Sequence, residues 1–244
     1  MTKAKIVAHR GYAAKFPENT IEAFQAAVDL GVSHIELDVQ LSADGQPVIV
    51  HDDTLQRTAG IDQSVFELNA AELTQIEVGE PERFGNRYKG IRLPLLSDLV
   101  TLLEKNPHVT AYVEIKDECI DEFGLEHVVK RVLGTLESVL RQCVIISYNL
   151  PCLDLARRMN DCRIGWVLTR YDEESRSLAE QLKPDFLICN YKKVNTVLWP
   201  GSWSWFFYEI ETPALAHEWI AKGAEYLETM DVEALLLDPS LKGE

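Results

Sequence analysis

Short apolar stretches alternate with amphipathic ones along nearly the whole chain, and that alternation limits the fold more than any other feature. Strand-like runs fall at 5–8, 32–40, 109–116, 143–147, 163–168, 185–189, 203–210 and 224–228. Helical spacing falls between them, at 96–105, 121–140, 151–160, 173–182, near 193–199, at 212–222 and at 231–237. The first helix carries Ile21, Phe24, Ala27 and Val28 on one face, with Asn19 expected as its N-cap, Glu22 as the capping-box partner and Gly31 just past its end. Alternating strand–helix units imply a parallel sheet with helices outside it. Eight strands, each followed by a helix, in 244 residues give an α/β fold of the (β/α)8 TIM-barrel type. An open doubly wound sheet is disfavoured because no G-x-G-x-x-G follows the first strand.

One stretch interrupts the rhythm. Ala43, Asp44 and Gly45 form a hairpin turn with a return at 47–51, and residues 53–93 then lose clear periodicity and gain Glu, Asn, Gly and Arg. That is too long for a plain barrel loop, so the expectation is a small insertion after the second strand and its hairpin, with a short helix near 70–77. With no repeat, low-complexity tract or linker, residues 1–244 read as a single domain.

Composition bounds the function. A net charge of −15 argues against a nucleic-acid surface and repels any phosphate substrate unless a bound cation reverses the sign locally. No window is long and apolar enough to span a bilayer, and the N-terminus shows no secretory signal, so stable membrane insertion is not expected and a cytoplasmic location is. Five cysteines without a C-x-x-C pair suit neither a disulfide framework nor a zinc knuckle and read as reduced core thiols.

The residues that carry chemistry sit where strands end. One apolar run delivers His9 and Arg10, the next Glu36 and Asp38, the hairpin return His51 and Asp52, and a later strand Glu114 and Lys116. Residues two apart on a strand share a face, so Glu36 points with Asp38 and Glu114 with Lys116. Neighbouring strands bring Glu36, Asp38 and Glu114 into one acidic cluster. Three carboxylates that close do not all stay ionised without a cation, and hard oxygen donors favour one divalent ion, Mg2+ or Ca2+. His9 and His51 flank the cluster and suit proton transfer, while Arg10 and Lys116 neutralise phosphate oxygens. Each residue alone also has an ordinary reading: Glu36 and Asp38 as ion-pair partners of Arg10 or Arg57, and Asn19 and Glu22 as helix caps. The conjunction at one end of consecutive βα units favours a site.

HRG at 9–11, PENT at 17–20, ELDVQLSADGQPVIVHDDTLQRTAG at 36–60, LPLLSDLV at 93–100 and EIK at 114–116 together closely resemble the glycerophosphodiester phosphodiesterase family. The resemblance is dense over the first half of the chain and thinner beyond it. It implies a (β/α)8 barrel that hydrolyses glycerophosphodiesters to glycerol 3-phosphate and an alcohol with a divalent metal. It implies His9 and His51 as the acid–base pair, Glu36, Asp38 and Glu114 as metal ligands, and Arg10 and Lys116 on the phosphate. It also implies an insertion lying over the site, and the glycerol 2-hydroxyl as internal nucleophile. Late departures fall at 208–211, where Tyr208 keeps an aromatic wall for the glycerol but Glu211 replaces a common neutral amide, and at Met230, where Thr-Asp is usual. The alternatives are a lysophospholipase D-like or other phosphodiesterase, with the Trp199, Trp203, Trp205, Phe206 and Phe207 cluster as a landing surface, and a non-catalytic phosphodiester-binding barrel. The sequence leaves the alcohol head group and the oligomeric state open.

Overall fold

A computed structural model describes residues 4–242. In chain order the strands are β1 (Lys5–Ala8), β2 (His34–Leu41), β3 (Pro47–Ile49), β4 (Thr110–Ile115), β5 (Cys143–Ser147), β6 (Arg163–Val167), β7 (Phe186–Asn190), β8 (Ser204–Tyr208) and β9 (Tyr226–Thr229). All but β3 pair in parallel in the order β1-β2-β4-β5-β6-β7-β8-β9, and β9 returns to β1. The result is a closed eight-stranded parallel barrel with helices outside. β3 is the hairpin return, antiparallel to β2.

The period of two along each strand sorts side chains into two environments. Ile35, Leu37, Val39, Ala111, Val113 and Ile115 are buried against the outer helices. Val7, Tyr112, Val144, Ile146, Val167, Phe186, Ile188, Phe206 and Tyr226 fill the barrel interior. The Tyr112 ring meets Phe186 and Phe206 edge-on, at centroid distances of 5.3 and 5.1 Å. These rings form an aromatic floor, each contributing roughly 1.5–3 kcal/mol through burial. Gly165 on β6 leaves room for that packing: a Cβ there would lie 2.9 Å from Ile146 and 3.0 Å from Ile188. Above the floor, two residues farther along the same strands, the inward positions turn polar: Glu114 follows Tyr112 and Glu228 follows Tyr226. The site is the polar layer of a barrel whose lower layer is aromatic.

Four expectations change. The first helix (Ile21–Asp29) is capped by Thr20, whose hydroxyl accepts from the Ala23 N–H, and not by Asn19. Asn19 takes a left-handed backbone, φ 56°, and its amide is spent on Asp38. The long helix at 121–140 is broken at Gly124, φ 83°, into Asp117–Phe123 and Leu125–Leu136, with a 3-10 segment at Glu137–Gln142. No α-helix forms near 193–199, where a 3-10 turn, Tyr191–Lys193, gives way to irregular chain, so β7 reaches β8 without the usual crossover helix. Apolar packing misled the periodicity there: Trp199 is buried, stacked on Tyr171 at 4.0 Å. The helix near 70–77 is one turn, Ala70–Leu73, held by an Asn69–Glu72 capping box.

Residues 53–93 build a small layer of their own. Short helical turns at Gln56–Ala59, Val65–Glu67, Ala70–Leu73 and Pro81–Phe84 surround a cluster of Val48, Val50, Leu55, Val65, Leu73, Val78 and Leu93. Contacts from this segment fasten the loop after β1: Glu80 accepts from the Glu18 N–H at 2.6 Å and Arg83 donates to the Ala13 carbonyl at 2.6 Å. Cys119, Cys143, Cys152, Cys162 and Cys189 are all free and buried, as the core reading expected. Among the described residues no helix is long and apolar enough to cross a membrane.

Candidate active site

β1 ends at Ala8, and the next three residues turn sharply into the mouth. Arg10 adopts φ 54°, a conformation that costs a non-glycine residue about 1–3 kcal/mol unless its surroundings hold it. Its N–H donates to Glu36 Oε2 at 3.0 Å, one of the contacts that hold it. Gly11 follows at φ 78°, where a Cβ would stand 2.7 Å from the Ala23 backbone. The positive φ and the close approach of Ala23 explain the glycine at position 11.

Parallel register brings the acids together. Asp38 on β2 pairs with Glu114 on β4, and Glu36 lies two residues earlier on the same face. One oxygen from each of Glu36, Asp38 and Glu114 lies within 4.8 Å of the others. Asp38 is the well-supported member: Asn19 donates to it at 2.9 Å, Arg10 Nε stands 3.2 Å away and Lys116 Nζ 3.5 Å away. Burial works against its charge, but Arg10, Lys116 and the Asn19 amide outweigh it and hold the carboxyl well below the usual range. Glu114 is pushed up to about 7 by burial and the Asp38 charge, although Lys116 Nζ donates to it at 3.1 Å. Glu36 is raised well above an ordinary carboxyl, by burial first and then by Asp38, Glu228 and Glu114. Buried acids crowded by one another's charge, with oxygens this close, fit a hard divalent cation.

The ordinary reading of these acids is also realised in part. Asp38 pairs with Arg10, but Arg57 pairs elsewhere. It clamps Glu18 with two bonds of 2.7 and 2.8 Å, and Arg10 donates to the same carboxylate at 2.9 Å. Arg57 Nε also donates to Asp52 at 2.8 Å, and Asp52 contacts His51 Nδ1 at 2.5 Å. A continuous chain, Arg10–Glu18–Arg57–Asp52–His51, therefore ties Arg10 to one histidine. With Nδ1 committed to a carboxylate, His51 has Nε2 left for a ligand. His9 sits opposite, its imidazole pushed down to about 4 by burial and the Arg10 charge.

These groups line one small opening at the barrel mouth, with a cavity volume of about 130 Å³. His9, Arg10, Glu36, His51, Glu114, Lys116 and Tyr208 all line it, and Asp38 lies 3.5 Å from the Lys116 ammonium, so the structure brings these eight expected residues together. Tyr208 shares the far wall with Tyr148, their hydroxyls 3.3 Å apart. Glu211, the expected departure, turns away to accept from Thr229 Oγ1 at 3.2 Å.

Sequence reasoning missed Glu228, Glu18 and the orienting role of Asp52. Glu228 lines the opening, is 4% exposed and is raised well above an ordinary carboxyl by burial and Glu114. Its signal was present: YLE at 226–228 repeats the YVE of 112–114, an inward tyrosine followed two residues later by an inward acid. Glu18 lay within the PENT motif at 17–20, but its role was not readable there, since its partners lie 8 and 39 residues away.

A glycerophosphodiester phosphodiesterase of Caldanaerobacter subterraneus subsp. tengcongensis is 35% identical over 145 residues, which is 59% of this chain and 58% of that protein. The structure of an Oleispira antarctica phosphodiesterase in complex with the product sn-glycerol-3-phosphate matches at TM-score 0.85 and 21% identity, over 99% of this chain and 98% of that one. A glycerophosphodiester phosphodiesterase from Agrobacterium tumefaciens matches at TM-score 0.76 and 24% identity, over 95% and 99% of the two chains. At these identities the two structures bear on the fold. The sequence model of the Glycerophosphoryl diester phosphodiesterase family matches residues 9–196, from His9 past β7, and the chain belongs to that family.

Proposed function

We propose that this protein hydrolyses glycerophosphodiesters to glycerol 3-phosphate and an alcohol, with one divalent cation, Mg2+ or Ca2+, on Glu36, Asp38 and Glu114. The observation that carries this reading is the convergence of that carboxylate triad, two histidines and two buried cations on one opening. A cation bound there would neutralise the phosphoryl oxygens as charge builds on them.

The protein's own groups do the rest. Arg10 and Lys116 both line the opening, where they can hold the non-bridging oxygens. The substrate's 2-hydroxyl is tethered to its target, which removes most of the entropic cost of attack. As it bonds to phosphorus, its proton passes to His9, which is neutral at pH 7. The bond from phosphorus to the alcohol breaks, and His51 gives a proton to the leaving oxygen. Water then opens the cyclic phosphate, giving its proton to His51 while His9 returns one to the 2-oxygen, and both histidines are reset. Tyr208 and Tyr148 wall the side away from the carboxylates.

The lysolipid alternative loses its motive, because Trp199, Trp203, Trp205, Phe206 and Phe207 are all buried. Five buried free thiols fit a cytoplasmic setting. The test is release of glycerol 3-phosphate from a panel of glycerophosphodiesters with Mg2+, Ca2+ or EDTA. Cation-dependent release, abolished in Asp38→Asn and His51→Gln, is expected. Release that survives EDTA would remove the cation from the reading, and no release with any ion would remove the activity.

A further inference from the structure

We propose a second cation site in the same mouth, formed by His9, Glu36 and Glu228 and suited to a borderline ion such as Zn2+. It rests on the reading above only in sharing Glu36 with the first site. β9, β1 and β2 are consecutive around the barrel; Glu228 lies on β9, His9 just past the end of β1 and Glu36 on β2. One ligand atom from each lies within 4.8 Å of the other two, with His9 Nε2 3.9 Å from Glu36 Oε2. Zinc bonds of about 2 Å place tetrahedral ligand atoms roughly 3.4 Å apart, so small side-chain rotations close the set.

Glu228 supplies the independent observation. The other acids of the mouth each have a donor: Asn19 for Asp38, the Arg10 N–H for Glu36, Lys116 for Glu114, and two arginines for Glu18. Among the described residues none reaches the Glu228 carboxylate, which is 4% exposed and lines the opening. A buried carboxyl without a partner is costly unless something that enters the opening satisfies it. The donor types then select the ion. The first site offers oxygen alone and suits Mg2+ or Ca2+, whereas an imidazole beside two carboxylates favours zinc over either. An ion on His9 Nε2 ties up the imidazole assigned above to take the substrate proton, so filling this site switches hydrolysis off without displacing the first cation.

The calcium-saturated protein is titrated with Zn2+ by calorimetry, and both metals are counted by atomic emission after free ions are removed. One zinc per chain with calcium retained is expected. Glu228→Gln and His9→Gln are expected to bind zinc at least 30-fold more weakly while keeping one calcium, which also shows them folded. Zinc that displaces calcium, zinc held equally by both variants, or no zinc at all overturns the second site. Absence of calcium from every sample overturns the first site instead, and the zinc count still decides the second.

Discussion

Replacing Glu18 with glutamine removes one charge while keeping the shape, and it tests whether the Arg10–Glu18–Arg57 junction organises the mouth. Glu18 is 5% exposed and accepts three bonds from guanidinium groups. An amide in its place keeps one oxygen and turns a donor toward a donor, so at least one charge-assisted bond, worth about 1.5–3 kcal/mol, is lost. Arg10 is also left as a buried charge with less compensation, which raises the expected loss toward about 3 kcal/mol. The Arg57 share is discounted, since its side chain is 43% exposed and water takes over part of its role. Burial opposes ionisation of Glu18, but Arg57 and Arg10 outweigh it and hold the carboxyl below its ordinary 4.5. A depressed folded-state value means that this stability is present above pH 4.5 and is lost as pH falls through the folded value. Urea unfolding at pH 7 and at pH 3 is the assay, so the gap between wild type and Glu18→Gln is expected to narrow at the lower pH. Arg10 released by even 1 Å would lower kcat/KM by about 100-fold. A stability loss under about 1 kcal/mol together with kcat/KM within threefold of wild type would refute the role of the junction.

Asp52→Asn leaves His51 without a charged partner on Nδ1 and is expected to lower kcat by about 100-fold or more with little change in KM, measured on glycerophosphocholine; kcat within threefold would show that Asp52 does not orient the imidazole. His34, at the start of β2, is pushed down to about 4 by burial and by the charges of Lys5 and Arg163. The unfolded chain therefore binds more protons between pH 6.5 and 4, and stability falls across that window by up to about 3 kcal/mol. His34→Asn is expected to flatten that part of the pH–stability curve, and an unchanged curve would refute the assignment. With a net charge of −15, the protein repels an anionic substrate at long range, so kcat/KM at saturating cation is expected to rise a fewfold as added salt is increased from about 10 to 150 mM. A fall with salt would mean that local cations, not net charge, govern encounter.

The barrel was legible because period-two and period-3.6 patterns are local, and strands β5, β6 and β9 fell within two residues of their expected bounds. The region between β7 and β8 was not, since tryptophans at 199, 203 and 205 look the same in sequence whether they ride a helix or stack across a loop. Site residues on strands were readable for the same local reason: Glu36, Asp38, Glu114 and Lys116 follow apolar runs at spacings that fix their face. Asn19 was misread because one residue decides whether an amide caps a helix, and Thr20 takes that place. Glu18 and Asp52 act through partners that only the folded loop and the 53–93 segment supply, so no periodicity marks them.

The charge balance around the mouth connects these pieces. Beside the self-balancing Glu209–Lys192 pair, Arg10, Arg57 and Lys116 face Glu18, Asp52, Asp38, Glu36, Glu114 and Glu228, so three positive charges meet six acids. The Arg10–Glu18–Arg57–Asp52 chain balances itself, and Lys116 offsets Asp38. Glu36, Glu114 and Glu228 remain, and these three are the acids whose carboxyls burial and repulsion push upward. One divalent ion removes two of the three charges and leaves one before an anionic substrate arrives. That last charge goes either by keeping a proton on Glu228 or by a second cation between Glu228 and His9. On the proposed reading only the proton leaves the His9 imidazole free, so a second cation beside Glu228 is expected to oppose hydrolysis.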